Sequence, residues 1–308
     1  MSFQSIQPVQ PKIQPMSSQR FGKRNGCLSN LLLVGIVSFA LMTFCALGTL
    51  LFYVLLPPPP LDLLILGLDA RPNENYATRT DVVMIMGIQP QGLRTSLLSI
   101  PRDIFIQVPN YGSQRINTIN VLGEQESTGQ GVPLLQQSIA QSFDLQTDRY
   151  VKLNFQAFVA LVDGVGGVTI DVPKRITDYQ YPTIDGGTMV VEFDPGVQTM
   201  DGERALIYAR TRHADDDYQR ASRQQQVLSA LAGKLVNPLN WGAAIRVLNQ
   251  YTETDLTLID MARYAPAIVL RGGQFDTLVV NRDYILPGSN GAIPNYEKLA
   301  PWIDERFD

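Results

Sequence analysis

Beyond residue 60 the chain contains no cysteine and a single histidine, His213. No disulfide can form there, so residues 61–308 must be stabilised by their own hydrophobic core, as one large domain or two. A Ser-His-Asp triad or a histidine metal cluster would need that one imidazole, and no nucleophile elbow is present. Chemistry in this part is left to Asp, Glu, Arg and oxygen ligands. The first 60 residues lack acidic side chains altogether, and Leu31–Leu56 lacks charge of either sign. No internal repeat is present. Gly164, Gly166 and Gly167 end a predicted helix where a phosphate-binding loop would open one, which argues against a dinucleotide site.

The 26 uncharged residues Leu31–Leu56 exceed the roughly 20 residues that a helix needs to cross hydrocarbon. The run is too long for a signal-peptide core, and no small-residue cleavage site follows it. Lys12, Arg20, Lys23 and Arg24 precede it, whereas the first basic residue after it is Arg71, so the positive-inside bias puts the N-terminus in the cytoplasm. The expected layout is a disordered cytoplasmic tail at 1–30, rich in Gln, Ser and Pro, and a transmembrane helix at 31–56. A Pro-rich spacer at 57–60 and an extracytoplasmic domain at 61–308 follow. Cys27 and Cys45 fall at the edge of the span and within it. Cys27 reads as an ordinary thiol in preference to a lipid attachment site.

Residues 61–308 hold 21 basic and 29 acidic side chains, a net charge of −8. That balance argues against nucleic acid as a partner, since such affinity comes largely from neutralising phosphates. Of the 21 cations, 17 are arginine, a preference suited to bidentate recognition of phosphate or carboxylate oxygens.

Leu61–Leu68 is nearly all apolar, as a strand buried on both faces should be. Val82–Ile88 and Leu93–Ile100 flank Gln89-Pro90-Gln91-Gly92 and predict a hairpin. In that hairpin the start of the first strand lies beside the end of the second, which brings Asp81 to Arg102 and Asp103. If Leu61–Leu68 joins the same sheet, Asp69 and Arg71 leave from the same edge, so Asp69, Arg71, Arg79, Asp81, Arg102 and Asp103 share one rim.

Further on, the pattern predicts a helix over 132–143, a strand over 150–153 and a helix from the Asn154 cap to Val162. A strand over 168–172 completes a unit that suggests a parallel crossover. Asp201 opens a helix to about Tyr208, and the chain leaves it through Arg210-Thr211-Arg212. On the helix from about Tyr218, Arg220, Arg223 and Gln224 share an arc with Val227, Leu228, Leu231 and Leu235, the stripe that should face the core. Charges on an inward stripe need carboxylates or a bound anion to meet them. The segments 241–248 and 258–269 predict helices and 275–280 a strand. After these comes an irregular tail in which Pro294, Tyr296, Leu299, Pro301 and Trp302 close over the core or a channel. The fold class is α/β, a mixed β-sheet covered by helices on both faces, preceded by one transmembrane helix.

The blocks Gly67-Leu68-Asp69-Ala70-Arg71, Arg79-Thr80-Asp81, Ser99-Ile100-Pro101-Arg102-Asp103 and Arg115-Ile116-Asn117 are followed in order by three more. These are Val162-Asp163-Gly164-Val165-Gly166-Gly167-Val168, the run Asp201-Gly202-Glu203-Arg204 through Tyr208-Ala209-Arg210-Thr211-Arg212, and Asp217-Tyr218-Gln219-Arg220-Ala221-Ser222-Arg223-Gln224-Gln225. From about residue 61 to 236 the series resembles the LytR-CpsA-Psr family of cell-wall proteins. The resemblance implies an enzyme that moves an anionic glycopolymer from a polyprenyl diphosphate carrier onto peptidoglycan at the membrane surface. It implies Mg2+ held by Asp69 and Asp81, and a diphosphate gripped by Arg102, Arg210, Arg212, Arg220 and Gln224. The prenyl tail would lie in an apolar channel. Ala70 and Arg115 depart from the commoner residues of the family, and the short loop 213–217 leaves the alignment of Arg220 and Arg223 open by one turn.

The chemistry of the residues points the same way. Magnesium is served by one or two carboxylates with phosphate oxygens and water. Arginines opposite stabilise charge on a transferring phosphoryl group, and Asp103 or a metal-bound Asp can take the proton of an acceptor hydroxyl. The candidate catalytic residues are therefore Asp69, Asp81, Arg102, Asp103, Arg210 and Arg212. Arg71, Arg79, Arg220, Arg223 and Gln224 complete the candidate diphosphate site. The competing structural reading makes Asp69 and Asp81 ion-pair partners of Arg102 and Arg71, and pairs the later arginines with Glu203 or Asp215–Asp217. A prenyl diphosphate hydrolase and a non-enzymatic lipid-phosphate-binding regulator are the alternative functions.

Overall fold

The computed structural model describes residues 25–68, 78–183, 186–212 and 217–307. It divides into two units, 1–55 and 56–308. In the first, α1 spans Asn25–Leu55, and the described side chains from Leu31 onward are almost all exposed apolar groups. The described side chains of α1 run unbroken only from Leu31 to Cys45, and among the described residues no helix is long and apolar enough to cross a membrane. Residues 1–24 of the expected tail lie outside the described residues.

The second unit begins with the strands β1 (Leu61–Leu68), β2 (Thr80–Gln89), β3 (Arg94–Ser99), β4 (Phe105–Val108) and β5 (Gly112–Arg115). Next come α2 (Ile119–Glu126), α3 (Gly131–Phe143), β6 (Arg149–Leu153), α4 (Phe155–Gly164) and β7 (Val168–Val172). The hairpin β8 (Ile176–Pro182) and β9 (Thr188–Phe193) precedes β10 (Gly196–Met200), α5 (Gly202–Arg210), α6 (Asp217–Leu235) and α7 (Trp241–Tyr251). The chain ends with β11 (Thr252–Thr254), α8 (Leu258–Leu270), β12 (Asp276–Val279), β13 (Ile285–Pro287), β14 (Ala292–Pro294) and α9 (Tyr296–Phe307).

Six strands form a mixed sheet in the order β11-β6-β1-β2-β3-β12. β2 runs antiparallel to β1 and β3, while β6 and β12 run parallel to β1 and β3 respectively. Alternation along the strands splits the apolar side chains between two faces. Leu64, Leu66, Val83, Ile85 and Leu98 pack into one core with Leu135 and Ile139 of α3 and Leu299, Ile303 and Phe307 of α9. Leu61, Leu63, Met84, Met86 and Leu97 pack into another with Tyr264 and Ala267 of α8 and, at its edge, Leu228 of α6. A third core gathers Val162, Val168, Ile170, Phe193, Tyr208, Val227 and Leu231 between α4, α5, α6 and the smaller sheets.

Two sequence expectations are corrected. The strand at 168–172 is no partner of β6: it pairs antiparallel with β10 in a separate two-stranded sheet. The unit β6-α4-β7 is therefore not a parallel crossover. Its helix starts as expected, with Asn154 Oδ1 accepting from Ala157 N at 2.9 Å, and it stops where Gly166 and Gly167 turn the chain at φ of 79° and 78°. The irregular tail is also wrong in part. Residues 296–307 form α9, whose Leu299, Ile303 and Phe307 recur at helical spacing and are fully buried under the sheet. Pro301 lies inside this helix.

Candidate functional site

The site begins with an irregularity in the β1–β2 pairing. Gly67 faces Val82, but the next pair is Leu68 with Thr80, so Asp81 is the additional residue of a β-bulge. Bulges re-aim side chains, and this one depends on Gly67, where an added Cβ would lie 2.9 Å from the Val82 Cβ. Asp81 thereby meets Arg102, three residues beyond the end of β3: Arg102 Nη1 lies 3.2 Å from each carboxylate oxygen. Arg102 Nε is 3.5 Å from Asp103 Oδ2, and Arg115 Nη1 is 3.6 Å from Asp103 Oδ1. The Asp103 and Arg115 side chains are half exposed, so that outer pair is worth little on its own.

These groups, with Arg79, Asn117 and Arg212, line a polar cavity of about 370 Å³. Asp81, Arg102 and Arg212 also line a second cavity of about 270 Å³. There Arg210, Arg220, Gln224, Asp178 and Tyr181 are joined by an apolar wall that includes Met84, Phe158, Leu161, Leu228 and Leu231. A charged mouth thus continues into a greasy channel between the sheet and α4, α5 and α6.

Each arginine is set differently. Arg210, at the end of α5, has its guanidinium carbon 4.1 Å from the centre of the Phe155 ring, and its Nη1 donates to Tyr181 Oη at 3.3 Å. Arg212 donates its backbone N–H to Asp178 Oδ2 at 3.2 Å and leaves its own side chain exposed. Arg220 is 6% exposed yet lines the channel, and the Gln224 amide is held 3.4 Å from Ala209 O. Arg223 behaves otherwise. It is 4% exposed and lines neither cavity; its Nε donates to Tyr208 O at 3.1 Å and its Nη2 to Thr211 O. Of the expected site residues, Arg79, Asp81, Arg102, Asp103, Arg210, Arg212, Arg220 and Gln224 are brought together. Arg223 is not, and Asp69 and Arg71 lie outside the described residues, as do His213, Asp215 and Asp216.

Among the described residues the two cavities are lined by six arginines, at 79, 102, 115, 210, 212 and 220, against three aspartates, at 81, 103 and 178. Among the described residues this is a local excess of positive charge in a domain of net charge −8, a lining that suits an anion. One oxygen points to a cation as well. Asn117 is 6% exposed, and its Oδ1 is buried without a hydrogen-bond partner although it lines the polar cavity with Asp81. A carboxylate and an amide oxygen lining one polar cavity suit a hard divalent ion. The sequence had pointed to neither Asp178 nor Tyr181. Both sit on β8, where a second bulge hides the alternation that would have marked them as inward-facing.

A mixed-sheet α/β protein with an arginine-rich mouth leading to an apolar channel is the class that this geometry defines. The LytR_cpsA_psr family matches residues 58–283, and the chain belongs to it. It is 30% identical over 64% of its length to the Polyisoprenyl-teichoic acid--peptidoglycan teichoic acid transferase TagU of Oceanobacillus iheyensis, covering 59% of that protein. To the TagT transferase of Bacillus subtilis it is 32% identical over 56% of its length, covering 52% of that protein. The matches thus span little more than half of these relatives. The crystal structure of B. subtilis TagV superposes with a TM-score of 0.64 at 23% identity, covering 80% of this chain and 96% of that one, which shows the shared fold.

Proposed function

We propose that the protein is a membrane-anchored glycopolymer transferase that takes a phosphosugar polymer from a polyprenyl diphosphate carrier and attaches it to peptidoglycan. One observation carries the reading: Asp81, Arg102 and Arg212 belong at once to the charged mouth and to the apolar channel. A ligand that satisfies both halves has a diphosphate joined to a long hydrocarbon tail. The names of the TagU and TagT relatives support the donor and acceptor classes.

In this reading Arg102, Arg210, Arg212, Arg220 and Gln224 hold the diphosphate, Arg79 and Arg71 extend the grip, and the tail lies along Phe158, Leu161 and Leu228. A hydroxyl oxygen of the acceptor attacks the phosphorus that carries the glycopolymer. A P–O bond forms, the bond from that phosphorus to the bridging oxygen breaks, and polyprenyl phosphate leaves. The hydroxyl proton passes to a carboxylate at the mouth, the half-exposed Asp103 or a metal-holding Asp. The arginines stabilise the charge that accumulates on the phosphoryl oxygens and the leaving group. Asp81, with Asp69 and the free Asn117 oxygen, would hold Mg2+, which supplies further neutralisation of phosphate charge.

The test is transfer by the full chain in detergent, with magnesium, a prenyl diphosphate-linked glycan donor and a peptidoglycan acceptor. Asp81→Ala and Arg102→Ala are expected to lower turnover at least about a hundredfold, the size of losing one electrostatic contact to the transition state. Full turnover by both variants would remove the assignment, and phosphosugar released into water instead of onto glycan would make the protein a hydrolase.

The same reading has the uncharged run 31–56 crossing the membrane with residues 61–308 outside. Supporting it are the length and exposed apolar surface of α1 and the basic flank on its N-terminal side. The chain should stay in the membrane pellet after alkaline carbonate washing; release into the supernatant would refute the anchor.

A further inference from the structure

Asp178 is a carboxylate lining an anion site, which at first sight works against it. It is 1% exposed, lies on β8 and borders the channel beside Arg210, Arg212 and Arg220. A carboxylate buried there is tolerated only where hydrogen-bond donors engage its oxygens. Both are engaged by backbone donors. Gln180 N donates to Oδ1 at 2.9 Å and Arg212 N to Oδ2 at 3.2 Å.

The local backbone is built to deliver this contact. In the β8–β9 pairing Asp178 faces Val191 and Tyr181 faces Met189, so three steps on β8 match two on β9. Residues three apart on a regular strand point to opposite faces. The bulge puts Asp178 and Tyr181 on the same buried side, while Tyr179 and Gln180 face solvent. Asp178 then fixes the backbone of Arg212, and the Tyr181 hydroxyl receives the Arg210 guanidinium at 3.3 Å. Phe155 supports that guanidinium at 4.1 Å. Arg210 is the last residue of α5, and Thr211 N still donates to Ile207 O at 2.9 Å; the Arg212 N–H falls beyond the helix and is taken by Asp178 on the bulge.

We infer that Asp178 and Tyr181 are positioning residues: the β8 bulge sets the spacing of Arg210 and Arg212 for a diphosphate and contributes nothing to binding of the tail. This rests on the diphosphate-and-tail reading proposed above and specifies what aims its headgroup site.

The test is isothermal titration of the full chain in detergent micelles with two probes, farnesyl diphosphate and farnesol. Wild-type protein should prefer the diphosphate. Asp178→Asn retains one acceptor and loses the other, so its affinity for farnesyl diphosphate should fall about tenfold, the value of one charge-assisted hydrogen bond, with farnesol binding unchanged. Tyr181→Phe removes only a hydroxyl and should cost about threefold on the same probe. It decides the matter if Asp178→Asn does not fold. Equal losses on both probes would mean a general structural role, and no loss on either would mean no role; each overturns the inference. A wild-type protein that does not distinguish the probes would overturn the diphosphate reading as well.

Discussion

Arg220 and Arg223 stand one helical turn apart on α6, within one arc, and both are buried, at 6% and 4% exposure. Helical periodicity could say that both point inward. It could not say what each would meet. Arg220 meets the channel, whereas Arg223 spends its guanidinium on the carbonyls of Tyr208 and Thr211, where α5 ends. The last carbonyls of a helix lack intrahelical donors, and Arg223 satisfies them from a neighbouring helix. Arg223→Ala therefore removes a charged donor from two carbonyls at the end of α5. We expect a loss of about 3 kcal/mol, from hydrogen bonds to a charged donor worth roughly 1.5 to 3 kcal/mol each. For a domain of this size that lowers the melting midpoint by roughly 6 to 12 °C. A thermal melt checks it, and a midpoint within a degree of wild type would show that Arg223 is no clamp.

Elements with one strong period were readable. β1 is apolar on both faces, β2 and β3 are largely buried runs flanking a Pro-Gln-Gly turn, and Asn154 announces α4. The β1–β2–β3 geometry also placed Asp81 beside Arg102 correctly. Elements whose meaning depends on a distant partner were not readable: β7 pairs with β10 and not with β6, and β8 carries a bulge. The start of α8 is a local signal that has a measurable cost. Thr257 Oγ1 accepts from Asp260 N at 3.1 Å, and Asp260 Oδ2 accepts from Thr257 N at 3.0 Å, a reciprocal capping box. The hydrogen bond from the Thr257 backbone, then that from its side chain, and the nearby Arg149 guanidinium hold the Asp260 carboxyl below its ordinary value of 3.8. A depressed carboxylate stabilises the fold fully above the unfolded value and loses that contribution as pH falls through the folded one. Asp260→Asn should thus cost about 1 kcal/mol at neutral pH, and its melting curve should converge on wild type as pH drops below 3.8. A gap that persists in strong acid would assign the loss to packing and not to charge.

The mouth is assembled from residues 79 to 220, so no local pattern could reveal it. What composition offered was indirect: a net-acidic domain rich in arginine. The fold turns that into a polar cavity and an apolar channel with three shared residues, and the pairing of the two makes a quantitative demand. If hydrocarbon fills the channel, affinity must rise with tail length at constant headgroup. Each methylene removed from water contributes about 0.8 kcal/mol at most, and ordering of the chain offsets part of it. Between dimethylallyl and farnesyl diphosphate the tail grows by two isoprene units. Even with much of the gain lost to ordering, the longer probe should bind roughly a hundredfold more tightly. Leu228→Asp, placed on the channel wall, should erase most of that difference and leave the weak binding of the short probe nearly intact, because it alters the tail's surroundings and not the arginines. Competition titrations with the two diphosphates decide it. If both bind equally to wild-type protein, the channel holds no tail, and the arginine mouth must serve a soluble anion instead.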